Sequence, residues 1–364
     1  MAQRRVQVQP VENGRTWWEP FDQLLVATGA IPFLPDVPGA GAAGIYGLST
    51  LQSGIEVRRA VDQEQPRQAV IVGGGYIGLE MAEALRLRDL DVSLVEMMPQ
   101  VMSTLDVDMG ALVSQALRGV GVHLYLEERL EGFEVADGRV RAVVTDKQSL
   151  PADLVILGLG VRPNTALAAD AGIPLGQRGA IRVDDRMQTD IEGVWAAGDC
   201  VESFHLVSRR PFYVALGSVA NKQGRVAGIN IGGGHATFPG VVGTAVSKIC
   251  TVEVARTGLQ EKEIEQLGVE HVSARIESQT RAHYYPGAGR ITVKILAEKG
   301  SGRLLGGQIV GVEGAAKRID VLATALHAGL TVDDMLNLDL SYAPPYSPVW
   351  DPVLIAARQA VKLV

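Results

Sequence analysis

Gly73-Gly74-Gly75-Tyr76-Ile77-Gly78 stands between an apolar run, Ala69 to Val72, and a stretch of helical periodicity, Leu79 to Arg88. A glycine turn that leaves a strand and opens a helix at this spacing is the mark of a βαβ unit that binds a dinucleotide. Gly73 permits the tight turn, Gly75 lets the backbone approach a pyrophosphate, and Gly78 allows helix and strand to pack closely. The phosphates then face the positive end of the helix. Glu96 ends the next strand, Val92 to Glu96, about 20 residues on, where a carboxylate can bind the adenosine ribose hydroxyls and repel a 2′-phosphate. That position favours NADH over NADPH.

A second match to the same pattern, Gly39-Ala40-Gly41-Ala42-Ala43-Gly44, follows prolines rather than a strand and leads into no helical pattern, so it reads as a loop. Around the first turn the chain alternates strand and helix. A short buried strand spans Leu24 to Ala27, a helix Asp106 to Leu117, a hairpin turn sits at Asp137-Gly138, and a buried strand runs from Leu154 to Gly158. Short strands from Ile181 to Asp199 precede a helix from Ala215 to Ile229. Beyond Gly232-Gly233-Gly234 the pattern becomes α+β, with strands at Ala274 to Ile276, Ile291 to Leu296 and Gly307 to Val312 before a helix from Ala315 to Ala328.

Length sets the scale: 364 residues accommodate two or three domains. A net charge of −7 excludes the basic stripe that a nucleic-acid surface needs. The longest apolar runs, such as Leu154 to Val161, fall short of the ~20 residues of a membrane helix, and no signal sequence follows Arg4-Arg5. Two distant cysteines, Cys200 and Cys250, make neither a disulfide framework nor a metal site. The expectation is a cytoplasmic protein without a metal, a membrane or a nucleic-acid partner.

Several further motifs carry a resemblance. Leu25-Val26-Ala27-Thr28-Gly29-Ala30, then Gly158-Leu159-Gly160-Val161-Arg162-Pro163-Asn164, then Ala196-Ala197-Gly198-Asp199 occur in the order seen in the pyridine nucleotide-disulfide oxidoreductases. The end, Asp339-Leu340-Ser341-Tyr342-Ala343-Pro344-Pro345-Tyr346-Ser347-Pro348, resembles the branch of coenzyme A-disulfide reductases, NADH oxidases and persulfide reductases. The resemblance implies an α/β protein with Rossmann-like FAD- and NAD(P)-binding domains, the FAD domain being split and truncated, plus an α+β dimerisation domain. Residues 1–65 and 166–238 would form a partial FAD domain, 66–165 an inserted NAD domain, and 239–364 a carboxy-terminal domain that builds a homodimer.

The same resemblance assigns roles. Thr28 and Gly29 would line the adenosine side of FAD, and Asp199, after Gly198, its ribityl or phosphate region. Asn221 would approach the flavin from the helix after Ala215-Leu216. Tyr76 would gate the nicotinamide pocket with Ile77, Glu80 and Gly160 nearby. Tyr342 and Tyr284 match two tyrosines that enter the partner subunit's active site in coenzyme A-disulfide reductases, where a phenol can hydrogen-bond a thiolate. NADH would reduce the flavin, which would pass electrons to a small thiol, disulfide or persulfide, coenzyme A among the candidates. No His-x-x-x-x-Glu dyad stands near the end, which disfavours a dithiol mechanism.

The sequence departs from the family it resembles at two places. Only 27 residues precede Thr28, and they hold neither a first glycine motif nor a cysteine. Arg4 to Gln9 resembles the strand just ahead of that motif, so the expectation is an incomplete form, less stable than the complete enzyme because its parallel sheet lacks a strand. Cys200 and Cys250, the latter on a predicted strand, read as inert thiols. Trp350 stands where coenzyme A-disulfide reductases can carry a lysine, with Arg209, Arg210, Lys317 and Arg318 as candidate replacements. Alternatives are an NADH oxidase or peroxidase that uses oxygen species, and a flavin-poor NAD-binding pseudoenzyme.

Overall fold

The structure, a computed structural model, describes residues 4–11 and 14–364. It divides into two compact units, one made of the described residues up to Ile31 with Val161–Val241, the other of Pro32–Gly160 with Val242–Val364.

In the second unit a five-stranded parallel sheet runs in the order Ile45–Gly47, Leu154–Leu157, Gln68–Val72, Asp91–Glu96, His123–Leu126. Consecutive side chains of a strand point to opposite faces, and both faces here are covered. Ala69 and Ile71 join a core with Leu79, Ala82 and Leu85 of the helix Tyr76–Arg86 and with Met109, Val113 and Leu117 of the helix Val107–Gly119. Val70 and Val72 face a second core with Phe133, Val140, Val143 and Leu150. Those residues belong to a three-stranded antiparallel sheet of Leu130–Ala136, Arg139–Thr145 and Ser149–Pro151. Burial on both sides explains why these strands read as continuous apolar runs. Each fully buried Ile or Leu contributes about 2 kcal/mol, and Ile71, Leu79, Leu94 and Leu154 are all fully buried.

A second five-stranded sheet, entirely antiparallel, follows the order Ala245–Ile249, Val252–Gly258, Leu304–Gly311, Arg290–Glu298, His271–Gln279. Ile249, Val254 and Val310 from this sheet enter the same core as the two helices of the parallel sheet. The helices Ile319–Ala328 and Pro352–Val361 complete this part.

Residues 32–64 pack in the unit of the parallel sheet. Ile45–Gly47 is that sheet's edge strand, and the helix Leu51–Glu64, absent from the sequence reading, buries Val57, Ala60 and Val61 in its core. Arg5–Val8 is not a parallel strand but pairs antiparallel with Trp17–Pro20, with the Arg5 guanidinium 4.5 Å from the Trp18 ring centre. Cys250 lies in the turn between two antiparallel strands, at φ +57°.

The first unit is smaller. Leu24–Val26 pairs in parallel with Val194–Ala196, and Val26, Ile181, Val194, Ala196 and Cys200 form its core. A second cluster gathers Val226 and Ala227 of the helix Gly217–Ile231 with Met187, Ala197 and Phe238. The two strands form a sheet of only two, and Leu25 remains 39% exposed. Among the described residues no helix is long and apolar enough to cross a membrane, and no cluster of three or more His, Cys, Asp or Glu could hold a metal.

Candidate functional site

The glycine turn has the structure its spacing requires. Gly73 adopts φ +106°, and a Cβ there would meet Gly158 O at 2.5 Å. A Cβ on Gly78 would fall 2.0 Å from Gly73 O. Both glycines are therefore demanded by the chain's own packing. Gly75 differs, because the nearest atom to a Cβ placed on it is Gly158 O at 3.9 Å. Its φ of −84° suits any residue, so nothing internal requires glycine there, and the free space lies where a pyrophosphate would approach. Gly75 also caps the helix Tyr76–Arg86 without a side-chain hydrogen bond, which leaves the first N–H groups available to an anion.

Glu96 meets this turn from the next strand. One carboxylate oxygen accepts from Gly74 N–H at 2.7 Å and the other from Met98 N–H at 2.8 Å. The side chain thus fixes the turn's shape while each oxygen keeps a lone pair for a hydroxyl. Tyr76 OH accepts from Thr104 Oγ1 at 3.4 Å, and the Thr104 carbonyl is held by Arg256 Nη1 at 3.0 Å. Ile77, partly buried, follows on the same turn, and Gly160 lies exposed at φ +83° with open space around it. Glu80, one helical turn on, accepts from Ser247 Oγ at 2.8 Å on the antiparallel sheet.

In the first unit, Thr28 Oγ1 donates to Asn164 O at 2.5 Å and Asn164 Nδ2 returns a bond to Thr28 O at 3.2 Å. Gly29 beside them has φ +68° and open space at its Cβ position. Gly198 turns the chain at φ +88°, its N–H donating to Oε1 of the buried Gln223 at 2.9 Å. Asp199 follows, with Oδ1 buried and without a hydrogen-bond partner. Burial pushes this carboxyl above its ordinary value. A buried, partnerless carboxylate oxygen is costly unless something donates to it, and the ribityl hydroxyls of a flavin are donors of the right kind. Ala215 and Leu216 are partly buried, Leu216 caps the helix Gly217–Ile231, and Asn221 is exposed on its second turn.

Two residues here escaped the sequence reading. Gln223 bridges Gly198 N–H and Ser203 Oγ, and Tyr213 OH donates to the Asp199 carbonyl at 2.9 Å. Burial, then the charge of Asp199, pushes the Tyr213 phenol up to about 12. Neither residue lies in a motif, so no local signal announces them. Cys200 is fully buried, with its thiol donating to Ala197 O at 3.4 Å. Burial, with the charge of Glu83, raises the Cys250 thiol. Both observations agree with inert thiols.

Tyr284 and Tyr342 stand on two loops that Ala282 N–H joins to Pro344 O at 3.1 Å, and their phenols are neighbours. Hydrogen bonding with Tyr284 raises the Tyr342 phenol above its ordinary value, with burial and the charge of Tyr284 adding to the effect. Both rings are open to solvent, Tyr284 at 66% and Tyr342 at 48%. The candidate phosphate-binding cations fare differently. Arg318 is committed internally, to Asp351 and to three backbone carbonyls. Lys317 pairs with Asp320 on the surface, and Arg209 and Arg210 are exposed. The Arg358 guanidinium lies 5.2 Å from the centre of the Trp350 ring.

Comparison with known proteins gives the family. The chain is 39% identical to an NAD(P)H coenzyme A polysulfide/persulfide reductase of Pyrococcus horikoshii over 95% of its length and 78% of the relative. It is 38% identical to an NADH oxidase of Methanocaldococcus jannaschii over 96% of its length and 78% of the relative. The solved structure of an NAD-dependent persulfide reductase from A. fulgidus superposes with a TM-score of 0.96 at 42% identity, covering all of this chain and 67% of that one. Residues 1–224 match the family described as pyridine nucleotide-disulphide oxidoreductase, and residues 244–352 match its dimerisation domain. The chain belongs to the pyridine nucleotide-disulphide oxidoreductase family of enzymes.

Proposed function

We propose that this chain acts as an FAD-dependent NADH oxidoreductase whose acceptor is a small disulfide or persulfide, with coenzyme A derivatives as the leading candidates. The single observation that carries the reading is the free face over Gly75, at an uncapped helix N-terminus and next to the carboxylate of Glu96. Family membership implies a flavin and a pyridine nucleotide; that they are FAD and NADH is part of the proposal. The partnerless Oδ1 of Asp199 and the open space at Gly29 fit the flavin. When bound, a flavin would supply the two-electron redox chemistry between a nicotinamide and a sulfur acceptor.

The chain's own residues bind and orient. Gly73, Gly75 and Gly78 shape the pyrophosphate turn, and Glu96 selects a free ribose. Tyr76 with Ile77, Glu80 and Gly160 borders the nicotinamide side. Thr28, Gly29, Gly198, Asp199, Ala215, Leu216 and Asn221 serve the flavin. Tyr284 and Tyr342 hold a neutral phenol that can donate to a departing thiolate. Flavin binding is assigned to 1–65 and 166–238. Nucleotide binding is assigned to 66–165 and homodimer formation to 239–364. The Pyrococcus horikoshii relative's name supports the sulfur acceptor. The Methanocaldococcus jannaschii relative's name supports oxygen as a second reading.

The test is anaerobic mixing of the FAD-loaded protein with NADH, followed by coenzyme A disulfide, a persulfide or oxygen. NADH is expected to bleach the flavin's visible absorbance, and a sulfur acceptor to restore it with release of thiol. Restoration by oxygen alone would replace the first reading with the second.

A further inference from the structure

We propose that Arg318 is the positioning residue for the Tyr284–Tyr342 phenol pair. The two tyrosines lie on loops 58 positions apart in the chain. Arg318 ties both. Its Nη2 donates to Thr280 O at 2.6 Å, where the strand His271–Gln279 gives way to the loop carrying Tyr284. The same Nη2 donates to Tyr346 O at 2.7 Å, in the proline-rich loop that carries Tyr342. Nη1 donates to Gly314 O, and Nε donates to Asp351 Oδ2 at 2.9 Å.

Asp351 makes the arrangement rigid. It caps the helix Pro352–Val361 by accepting from Val353 N–H at 2.9 Å and also accepts from Ser347 Oγ at 3.1 Å. Arg318 and Asp351 are each only 12% exposed, so the pair is shielded and holds its geometry better than a surface ion pair would. One direct bond joins the loops, Ala282 N–H to Pro344 O at 3.1 Å. Without the guanidinium, the two loops lose the shared donor that ties Thr280 O to Tyr346 O. A planar fork with five donors can reach two carbonyls and a carboxylate at once, and a lysine ammonium on a flexible stem cannot.

The inference rests on the functional reading of the phenol pair and adds to it a residue that touches neither substrate nor cofactor. Its test reads the phenols directly. The protein is labelled with meta-fluorotyrosine, and the fluorine resonance of Tyr342 is assigned by its loss in Tyr342→Phe. In the native protein Tyr284→Phe is expected to shift that resonance, because it removes the neighbouring hydroxyl. In Arg318→Lys and in Arg318→Met the shift caused by Tyr284→Phe is expected to fall by more than half, with the resonances of Tyr46, Tyr76 and Tyr125 unmoved. Should Arg318→Met not fold, Arg318→Lys decides. A full response to Tyr284→Phe in either folded variant overturns the inference. Failure of the functional reading would register separately, as undiminished acceptor turnover by Tyr342→Phe.

Discussion

Lys294 Nζ lies 3.1 Å from Asp106 Oδ2, and both side chains are 4% exposed. Asp106 precedes the helix Val107–Gly119 beside the parallel sheet, and Lys294 stands on the strand Arg290–Glu298 of the antiparallel sheet. Asp108 Oδ1 at 2.8 Å and Glu261 Oε1 at 3.1 Å complete the shell around the ammonium. Gln308 bonds Asp106 twice, accepting from its N–H at 2.8 Å and donating to Oδ2 at 2.7 Å. The start of this helix is therefore held by the sheet rather than by its own cap.

Removing Lys294 would leave a buried carboxylate unpaired, so Lys294→Met should destabilise the protein by about 3 kcal/mol. Burial alone would lower the Lys294 ammonium, but hydrogen bonds to Asp108 and Glu261 and the charges of Asp106 and Asp108 outweigh it and raise the value above the ordinary 10.5. A cation whose value is raised on folding adds stability that is complete below its unfolded value and is lost as pH rises through the folded one. Urea melts of the native protein should therefore weaken as pH climbs above 10.5. The variant should lack that component, and a parallel fall in both would refute the assignment.

The glycines of the turn should separate by role. Gly78→Ala places a Cβ 2.0 Å from Gly73 O, and a backbone clash of that kind should destabilise by about 3 kcal/mol. Gly75→Ala meets nothing closer than 3.9 Å, so it should change stability by less than about 1 kcal/mol. Denaturant midpoints of the two variants check the contrast, and equal losses would contradict it.

Legibility of the sequence followed locality. The turn from Gly73 to Gly78 and the acid at Glu96 were readable because strand, glycines and helix are contiguous and each spacing has a geometric cause. The helix Leu51–Glu64 escaped because Gly54 and a run of charged residues weaken its apolar stripe, although Thr50 and Ser53 form a capping box. Cys250 was misplaced because Val246 to Val254 reads as one alternating run, and a turn without glycine or asparagine leaves no mark in it. Arg318 reads in the sequence as a candidate phosphate-binding cation. Its partners at positions 280, 314, 346 and 351 are separated in sequence and meet only in the fold. Asp199 was legible as a family position, but its partnerless oxygen required coordinates.

Asp199 yields a trade between stability and binding. Its carboxyl is raised by burial, so its charged form weakens the flavin-free protein at neutral pH, and that loss is recovered as pH falls toward the raised value. Asp199→Asn should stabilise the flavin-free protein by about 1 kcal/mol and weaken FAD binding. Thermal melts without FAD and fluorescence titration with it give the two numbers. A variant that melts lower and binds FAD as before would exclude the role.

Glu96 should govern the choice of nucleotide. The native protein should bind NADH at least about tenfold more tightly than NADPH, and Glu96→Ala should reduce that ratio by about the same factor, each tenfold corresponding to about 1.4 kcal/mol. The variant should also weaken NADH itself, since Gly74 N–H and Met98 N–H lose their acceptor. Titration with both nucleotides decides, and an unchanged ratio would place the ribose elsewhere.

Calorimetric titration of NADH into the native protein and into Gly75→Val goes most directly to the reading as a whole. A valine would fill the one part of the turn that the chain itself leaves open. Saturable binding by the native protein, lost by more than about tenfold in the folded variant, is the expected result. No saturable binding by the native protein, or equal binding by both, would contradict it.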